Sequence, residues 1–117
     1  MKSILLLAVT ALAMLGADAT GTWTGTLTPT EGDAGPAHLV LKQDGGNVTG
    51  TAGPNADEQH EIRNGKVKDG KISFELGGEN GVMRFELTQE GDQIRGDVSR
   101  EHEGQTQTAK LSVTRSK

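Results

Sequence analysis

The stretch VMRFELTQEGDQIRGDVS, residues 82–99, decides the fold of this chain. In each half of it, apolar residues alternate with polar ones. This period of two is typical of an antiparallel strand that packs one face on the core and leaves the other in solvent. Between the halves lies Gly91-Asp92, a turn sequence in which glycine reaches positive φ at little steric cost. The stretch therefore predicts a β-hairpin, with strands over Val82–Gln89 and Gln93–Ser99.

The same alternation recurs along the chain, where 17 scattered glycines argue against helices. Asp44-Gly45-Gly46 and Asp69-Gly70 supply two further hairpin turns. In one segment the odd spacing of Ile62 and Val67 interrupts the pattern, which predicts a bulge at Asn64-Gly65. Six more strands are predicted, over Thr22–Thr28, His38–Gln43, Asn47–Ala52, Gln59–Lys68, Lys71–Leu76 and Gln105–Arg115.

Eight short strands joined in sequence form a meander, and closing the meander hides the strand edges that invite aggregation. We therefore predict an all-β fold, an eight-stranded antiparallel up-and-down barrel, with a two-sheet sandwich as the alternative. Gly25, Gly50 and Gly96 fall at inward positions, where they either let the strands coil sharply or leave space. We expect sharp coiling and a filled core.

One ten-residue pattern occurs twice. Leu41–Gly50 and Leu87–Gly96 both read Leu-x-Gln-acid-Gly-x-x-aliphatic-x-Gly. Convergence on favourable hairpin chemistry explains the repeat, and so does duplication of half a barrel. Neither explanation implies a function.

The first 19 residues are predicted to be a signal peptide. Lys2 gives a positive start, Ile4–Leu15 is almost entirely apolar, and Ala17-Asp18-Ala19 offers the small residues that signal peptidase accepts. Residues 20–117 then form a single barrel domain. The chain contains no cysteine, so no lipid-anchored cysteine follows the leader. We expect a periplasmic or secreted protein.

Composition excludes several classes of function. The net charge of −4 provides no basic excess for nucleic acid, and the apolar run is too short for a membrane span. The absence of cysteine excludes disulfides, thiolate catalysts and zinc–thiolate sites. None of the serines lies in a nucleophile-elbow context. We therefore expect neither an enzyme nor a cofactor.

A meander places alternate connections at opposite ends of a barrel. The three tight turns share one end, called the turn end here. The other end, called the loop end, receives the connections Pro29–Ala37, Gly53–Glu58, Gly77–Gly81 and Arg100–Gly104. Polar loops on a rigid scaffold commonly carry binding residues. The predicted binding rim at the loop end consists of His38, Asp57, Glu58, His60, Glu79, Arg100 and His102.

Imidazoles and carboxylates together are able to bind a divalent cation. The chain nevertheless lacks His-x-His and His-Glu-x-x-His spacings. We therefore predict that these side chains are solvated charges and that there is no metal site, with binding of a divalent cation by the rim histidines as the alternative.

Trp23 and Arg115 are predicted to have structural roles. Trp23 lies near the start of the first strand. Arg115 lies two residues after Val113 in the last strand, so both side chains are predicted to face the barrel interior. If the barrel closes, the guanidinium lies across the indole in a cation–π contact. The alternative is that Trp23 is only a large core residue and Arg115 part of a frayed tail.

Through Gly21, Trp23 and Arg115 the chain resembles the calycin group, the lipocalins and avidins. Barrels of that group begin with a Gly-x-Trp strand whose indole meets a basic residue of the final strand. Val48-Thr49-Gly50-Thr51 is also similar to the second hairpin of avidin-type chains. The resemblance implies an up-and-down barrel whose ligand enters at the loop end. The chain has no tyrosine and one tryptophan, so an avidin-like aromatic cage for biotin cannot be assembled.

Two functions follow as hypotheses. The first is an exported, non-enzymatic binding or interaction module of the bacterial cell envelope that acts through the loop end. The alternative is a lipocalin-like carrier of a small apolar ligand. A closed core favours the first and an open, lined pocket favours the second. The partner, a protein or a small molecule, and the oligomeric state stay open.

Overall fold

The computed structural model describes residues 18–77 and 81–116, with the side chain of His102 left aside. This part of the chain is built from β-strands joined by turns and loops, without a helix. The strands are β1 Gly21–Pro29, β2 Gly35–Asp44, β3 Asn47–Asn55, β4 Glu58–Glu61, β5 Arg63–Lys68, β6 Lys71–Leu76, β7 Met83–Glu90, β8 Gln93–His102 and β9 Gln105–Arg115.

The strands form one closed sheet. Consecutive strands pair antiparallel, except that β4 and β5 both pair with β3, and β1 pairs with β9 from Trp23↔Arg115 to Pro29↔Ala109. Because β4 and β5 are two parts of the predicted fourth strand, the architecture is an eight-stranded up-and-down barrel. The predicted fold class is confirmed, and the sandwich alternative is wrong. The meander is compatible with a calycin-like fold.

The fourth strand is interrupted where its alternation fails. Ile62 separates β4 from β5, and its buried side chain is only 6% exposed while its N–H donates to Gly50 O at 3.0 Å. The pairing of β5 with β6 shifts between Arg63 and Lys66, and Asn64 has a φ of 55°. The bulge predicted at Asn64-Gly65 is therefore confirmed.

The three turns of the turn end are confirmed, but two loops of the loop end are not. Ala56-Asp57 alone joins β3 to β4, because Asn55 Oδ1 accepts the N–H groups of Asp57 and Glu58, each at 2.9 Å. Glu103-Gly104 alone joins β8 to β9, and both residues have positive φ, 53° and 79°, as a tight hairpin turn requires. These hairpins therefore extend their strands where longer loops were predicted.

Apolar side chains fill most of the barrel interior. The rings of Phe74 and Phe85 stack with centroids 4.5 Å apart, and Trp23 is completely buried. A Cβ added at Gly25 or Gly50 would lie 2.0 or 1.9 Å from a carbonyl oxygen of the adjacent strand. These glycines therefore mark places where the strands approach closely, as sharp coiling requires, and not empty space.

Candidate functional site

The turn end of the barrel is closed by the segment Asp18–Thr20. Ala19 is completely buried beneath the barrel, and its carbonyl accepts the indole N–H of Trp23 at 3.0 Å. The guanidinium of Arg115 lies 4.4 Å from the centroid of the Trp23 ring. The structure thus places the cation over the indole, in the arrangement that the two strand ends suggested.

Arg115 also ties the closing segment to the barrel. Its Nη2 donates to Asp18 O at 3.0 Å, its Nη1 donates to Thr20 O, and its Nε lies 2.9 Å from the Asp92 carboxylate. Hydrogen bonds from the backbone N–H and the hydroxyl of Thr20 lower the pKa of the Asp18 carboxyl. The segment is therefore held chiefly through backbone carbonyls.

The repeated sequence pattern has a structural role at the same end. In each copy the glutamine Nε2 donates at 3.0 Å to a turn carbonyl two residues later, Gln43 to Gly45 and Gln89 to Gly91. Gln43 Oε1 also accepts the N–H of Ala19 at 2.8 Å. Gln89 Nε2 also donates to the carbonyl oxygen of Asp18 at 3.0 Å. The two hairpins hold the closing segment from opposite sides, so a binding site has to lie elsewhere.

A chain that starts at Thr20 will be less stable than one that starts at Asp18. Without Ala19 the buried indole N–H of Trp23 loses its acceptor, which costs about 1–3 kcal/mol. Urea denaturation of the two leaderless chains measures the difference. Asp18→Ala in the longer chain is the control. It keeps the backbone carbonyls of residues 18 and 19, so it should lower the stability less than the truncation does. Equal stability of the two chains would show that the segment contributes nothing.

An apolar pocket opens at the loop end. Its volume is about 190 Å³, and its walls come from seven strands of the barrel. Leu27 and Met83, although they point inward, stay partly exposed there. Its wall includes Leu27, Leu39, Ala52, Leu76, Met83 and Phe85.

Larger depressions exist on the outer wall, but they differ in character. One lies among exposed charged side chains that include Lys68, Glu86 and Asp97. Shallow, solvated surfaces of this kind lack the concave, mostly apolar lining of ligand sites. The pocket at the loop end has that lining, which makes it the candidate functional site.

Of the predicted rim residues, the structure brings His60 to this pocket. His60 pairs with Ala52, which pairs with Leu39, so the three lie in one row on the inner face. The imidazole is exposed at the pocket edge. His38 pairs with Thr24 and lies between buried neighbours on the outer face, half-buried, so it does not share the site.

Three more rim residues, Asp57, Glu58 and Arg100, lie at the loop end outside the pocket lining. Asp57 and Glu58 are exposed at the β3–β4 turn. Arg100 pairs with Met83 across the β7–β8 ladder, and its guanidinium donates to the side chain of Gln107. His102 ends β8, and Glu79 lies outside the described residues.

Sequence reasoning missed the apolar part of the site. Its signal was a set of small and rigid residues near the loop end, where Ala37, Ala52 and Gly53 border the pocket. The chain has three prolines, all in strand segments near this end, and Pro36 and Pro54 border the pocket. Small side chains leave the volume unfilled, and proline fixes φ and lowers the freedom of the rim.

The site can bind an apolar group and offer it one polar contact, from the imidazole of His60. Within residues 18–77 and 81–116, the structure brings no three histidine or acidic side chains together to hold a metal ion. Over the same part of the chain, no helix has the length and apolar character needed to cross a membrane. Comparison with protein-family models, curated proteins and solved structures finds no match for this chain.

Proposed function

We propose that this protein is a non-enzymatic binding module of the bacterial cell envelope, periplasmic or secreted, that holds an apolar group of its partner in the loop-end pocket. The observation that carries the proposal is the contrast between the two ends. One end is closed by the completely buried ring of Trp23 beneath the guanidinium of Arg115, both of which follow the predicted leader, and the other opens into an apolar pocket with His60 at its edge.

The expected binding energy suits an anchor residue of a partner. An apolar group that buries about 100 Å² in the pocket contributes about 2.5 kcal/mol. Contacts of this size dominate interfaces when a ring of polar contacts excludes water around them. Asp57, Glu58 and Arg100 supply polar groups at the same end. An apolar centre with a polar rim is the usual anatomy of a protein interface.

Membership in the calycin group forms part of the proposal. The Gly21-x-Trp23 start, the Arg115 contact with the indole and the meander support it. In barrels of that group the ligand enters at the loop end, which agrees with the position of the pocket. The absence of tyrosine still argues against a biotin site.

Filling the pocket will abolish partner binding. Ala52→Leu places three more carbons in the cavity, whereas Ala56→Leu adds the same atoms to the exposed β3–β4 turn. A photo-crosslinking residue at Val82, which is exposed and directly precedes the pocket residue Met83, should give a discrete product in the periplasm. We expect Ala52→Leu to remove that product and Ala56→Leu to retain it.

The same crosslinker at Lys68, exposed near the turn end, is the positional control. Equal products from both positions, or a product from Val82 that survives Ala52→Leu, would contradict the proposal. Circular dichroism shows whether each variant is folded.

Carriage of a small apolar ligand is the second candidate function. By being open and lined with apolar side chains, the pocket meets the criterion for a carrier, but its volume of about 190 Å³ is below the roughly 300–1,000 Å³ typical of drug-sized ligands and fits a single side chain better. Native mass spectrometry of the exported protein distinguishes the candidates. A carrier shows an added mass of a small molecule that Ala52→Leu removes.

A further inference from the structure

We propose that the loop-end pocket selects a single aromatic ring that bears a hydroxyl group, a phenol. This inference rests on the proposed function, because it names the chemistry of the group that the pocket holds. It follows from four features of the site: its volume, its ring-bearing wall, the imidazole at its edge and its rigid rim.

The volume fits one ring. A cavity of about 150 Å³ lined by apolar side chains accommodates benzene. The pocket here measures about 190 Å³, which leaves room for a substituent but not for a second fused ring system or a long acyl chain. The stacked rings of Phe74 and Phe85 occupy the interior beside it, so a longer guest finds no path deeper into the barrel.

The wall favours an aromatic guest over an aliphatic one of equal size. Phe85 borders the pocket, and its ring is held by the stack with Phe74 at 4.5 Å, so an aromatic guest meets a ring that is already fixed in position. Met83 borders the pocket as well, and a thioether makes favourable contacts with aromatic rings. A saturated ring gains neither of these contacts.

His60 supplies the contact that distinguishes a phenol from an unsubstituted ring. A neutral imidazole carries one donor and one acceptor nitrogen, and a phenol hydroxyl is able to use either. Because His60 lies at the solvent edge, the hydroxyl is placed at the mouth while the ring occupies the apolar depth.

The rim needs little reorganisation to receive the ring. Pro36 and Pro54 border the pocket on neighbouring strands. Pro36 is paired with Thr26 in the β1–β2 ladder, and Pro54 lies between Gly53, paired with His38, and Asn55, paired with Glu58. A site that is formed before the ligand arrives loses less entropy on binding. A free phenol and the side chain of a tyrosine in a partner protein present the same chemistry.

Met83 offers a direct readout of occupancy. It is the only methionine after the predicted leader, so methyl-labelled methionine gives one NMR signal from the folded domain, and that methyl borders the pocket. The leaderless protein is titrated with p-cresol, toluene and methylcyclohexane, and with blocked Gly-Tyr-Gly and Gly-Phe-Gly peptides. The sole tryptophan, Trp23, lies at the opposite end and should not respond.

We expect p-cresol to bind about threefold to tenfold more tightly than toluene, the range of one net hydrogen bond. His60→Ala should remove this difference while toluene binding persists, and His60→Gln should restore part of it. Ala52→Leu should abolish the Met83 response to every probe. Tighter binding of the tyrosine peptide than of p-cresol identifies a protein side chain as the ligand, and the reverse order identifies a free phenol.

The ligand class is wrong if methylcyclohexane binds as tightly as toluene, if p-cresol gains nothing over toluene, or if no probe moves the Met83 signal. Each of these results leaves the crosslinking test of the proposed function untouched. If the crosslinking experiment captures a partner but the titration shows no preference for an aromatic ring, the proposed function stands and only the phenol site is overturned.

Discussion

Replacing Trp23 with alanine will lower the free energy of unfolding by about 3–5 kcal/mol. The side chain is completely buried, its indole N–H bonds to Ala19 O at 3.0 Å, and its ring carries the guanidinium of Arg115 at 4.4 Å. The substitution opens a cavity and removes the surface on which the closing segment packs. Urea denaturation followed by circular dichroism measures the loss, since the variant has no tryptophan fluorescence.

A double-mutant cycle separates packing from the cation–π contact. Arg115→Ala, Trp23→Ala and the combination of both are compared with the parent chain. We expect a coupling of about 0.5–2 kcal/mol between the two residues. Additive effects would mean that Arg115 stabilises the protein only through its bonds to Asp92, Asp18 and Thr20.

Replacing Gly50 with alanine will destabilise the barrel by about 3 kcal/mol or more, at the upper end of the range for overpacking. Gly50 has a φ of 137°, which L side chains rarely adopt, and an added Cβ would lie 1.9 Å from Val40 O. The β2–β3 ladder has to separate to admit the methyl group. Thermal and urea denaturation measure the loss.

Gly46→Ala in the same hairpin is the matched control. The nearest atom to its added Cβ is Val67 O at 3.7 Å, an ordinary contact, and its φ is not positive. We expect this variant to be close to the parent in stability. If Gly50→Ala and Gly46→Ala melt together, the close approach of β2 to β3 is not what limits this position.

Much of the fold could be predicted because alternation and turn chemistry are local signals. The hairpin over 82–99, the three tight turns and the bulge at Asn64-Gly65 depend on neighbouring residues only. The outer parts of β8 and β9 could not be read in this way. Between Arg100 and Thr108 most side chains are polar on both faces, so no alternation marks the strands that extend there.

The candidate site was harder to predict because an unfilled volume has no motif. It arises where residues from distant segments, such as Leu27, Ala52 and Met83, meet without filling the barrel. The predicted rim grouped His38 with His60 because both residues lie at the loop end of the barrel. The pairing of each strand decides which face a side chain takes, and it sends the two imidazoles to opposite faces.

If the predicted leader ends at Ala19, the buried position of that residue sets an order of events for export. Proteases cleave segments that are exposed and free to move, whereas in the complete barrel Ala19, on one side of the Ala19–Thr20 peptide bond, is buried and donates its N–H to Gln43. If the leader is removed at this bond, the peptidase has to act while the chain is still emerging. A precursor that folded first would shelter its own scissile bond and keep its leader.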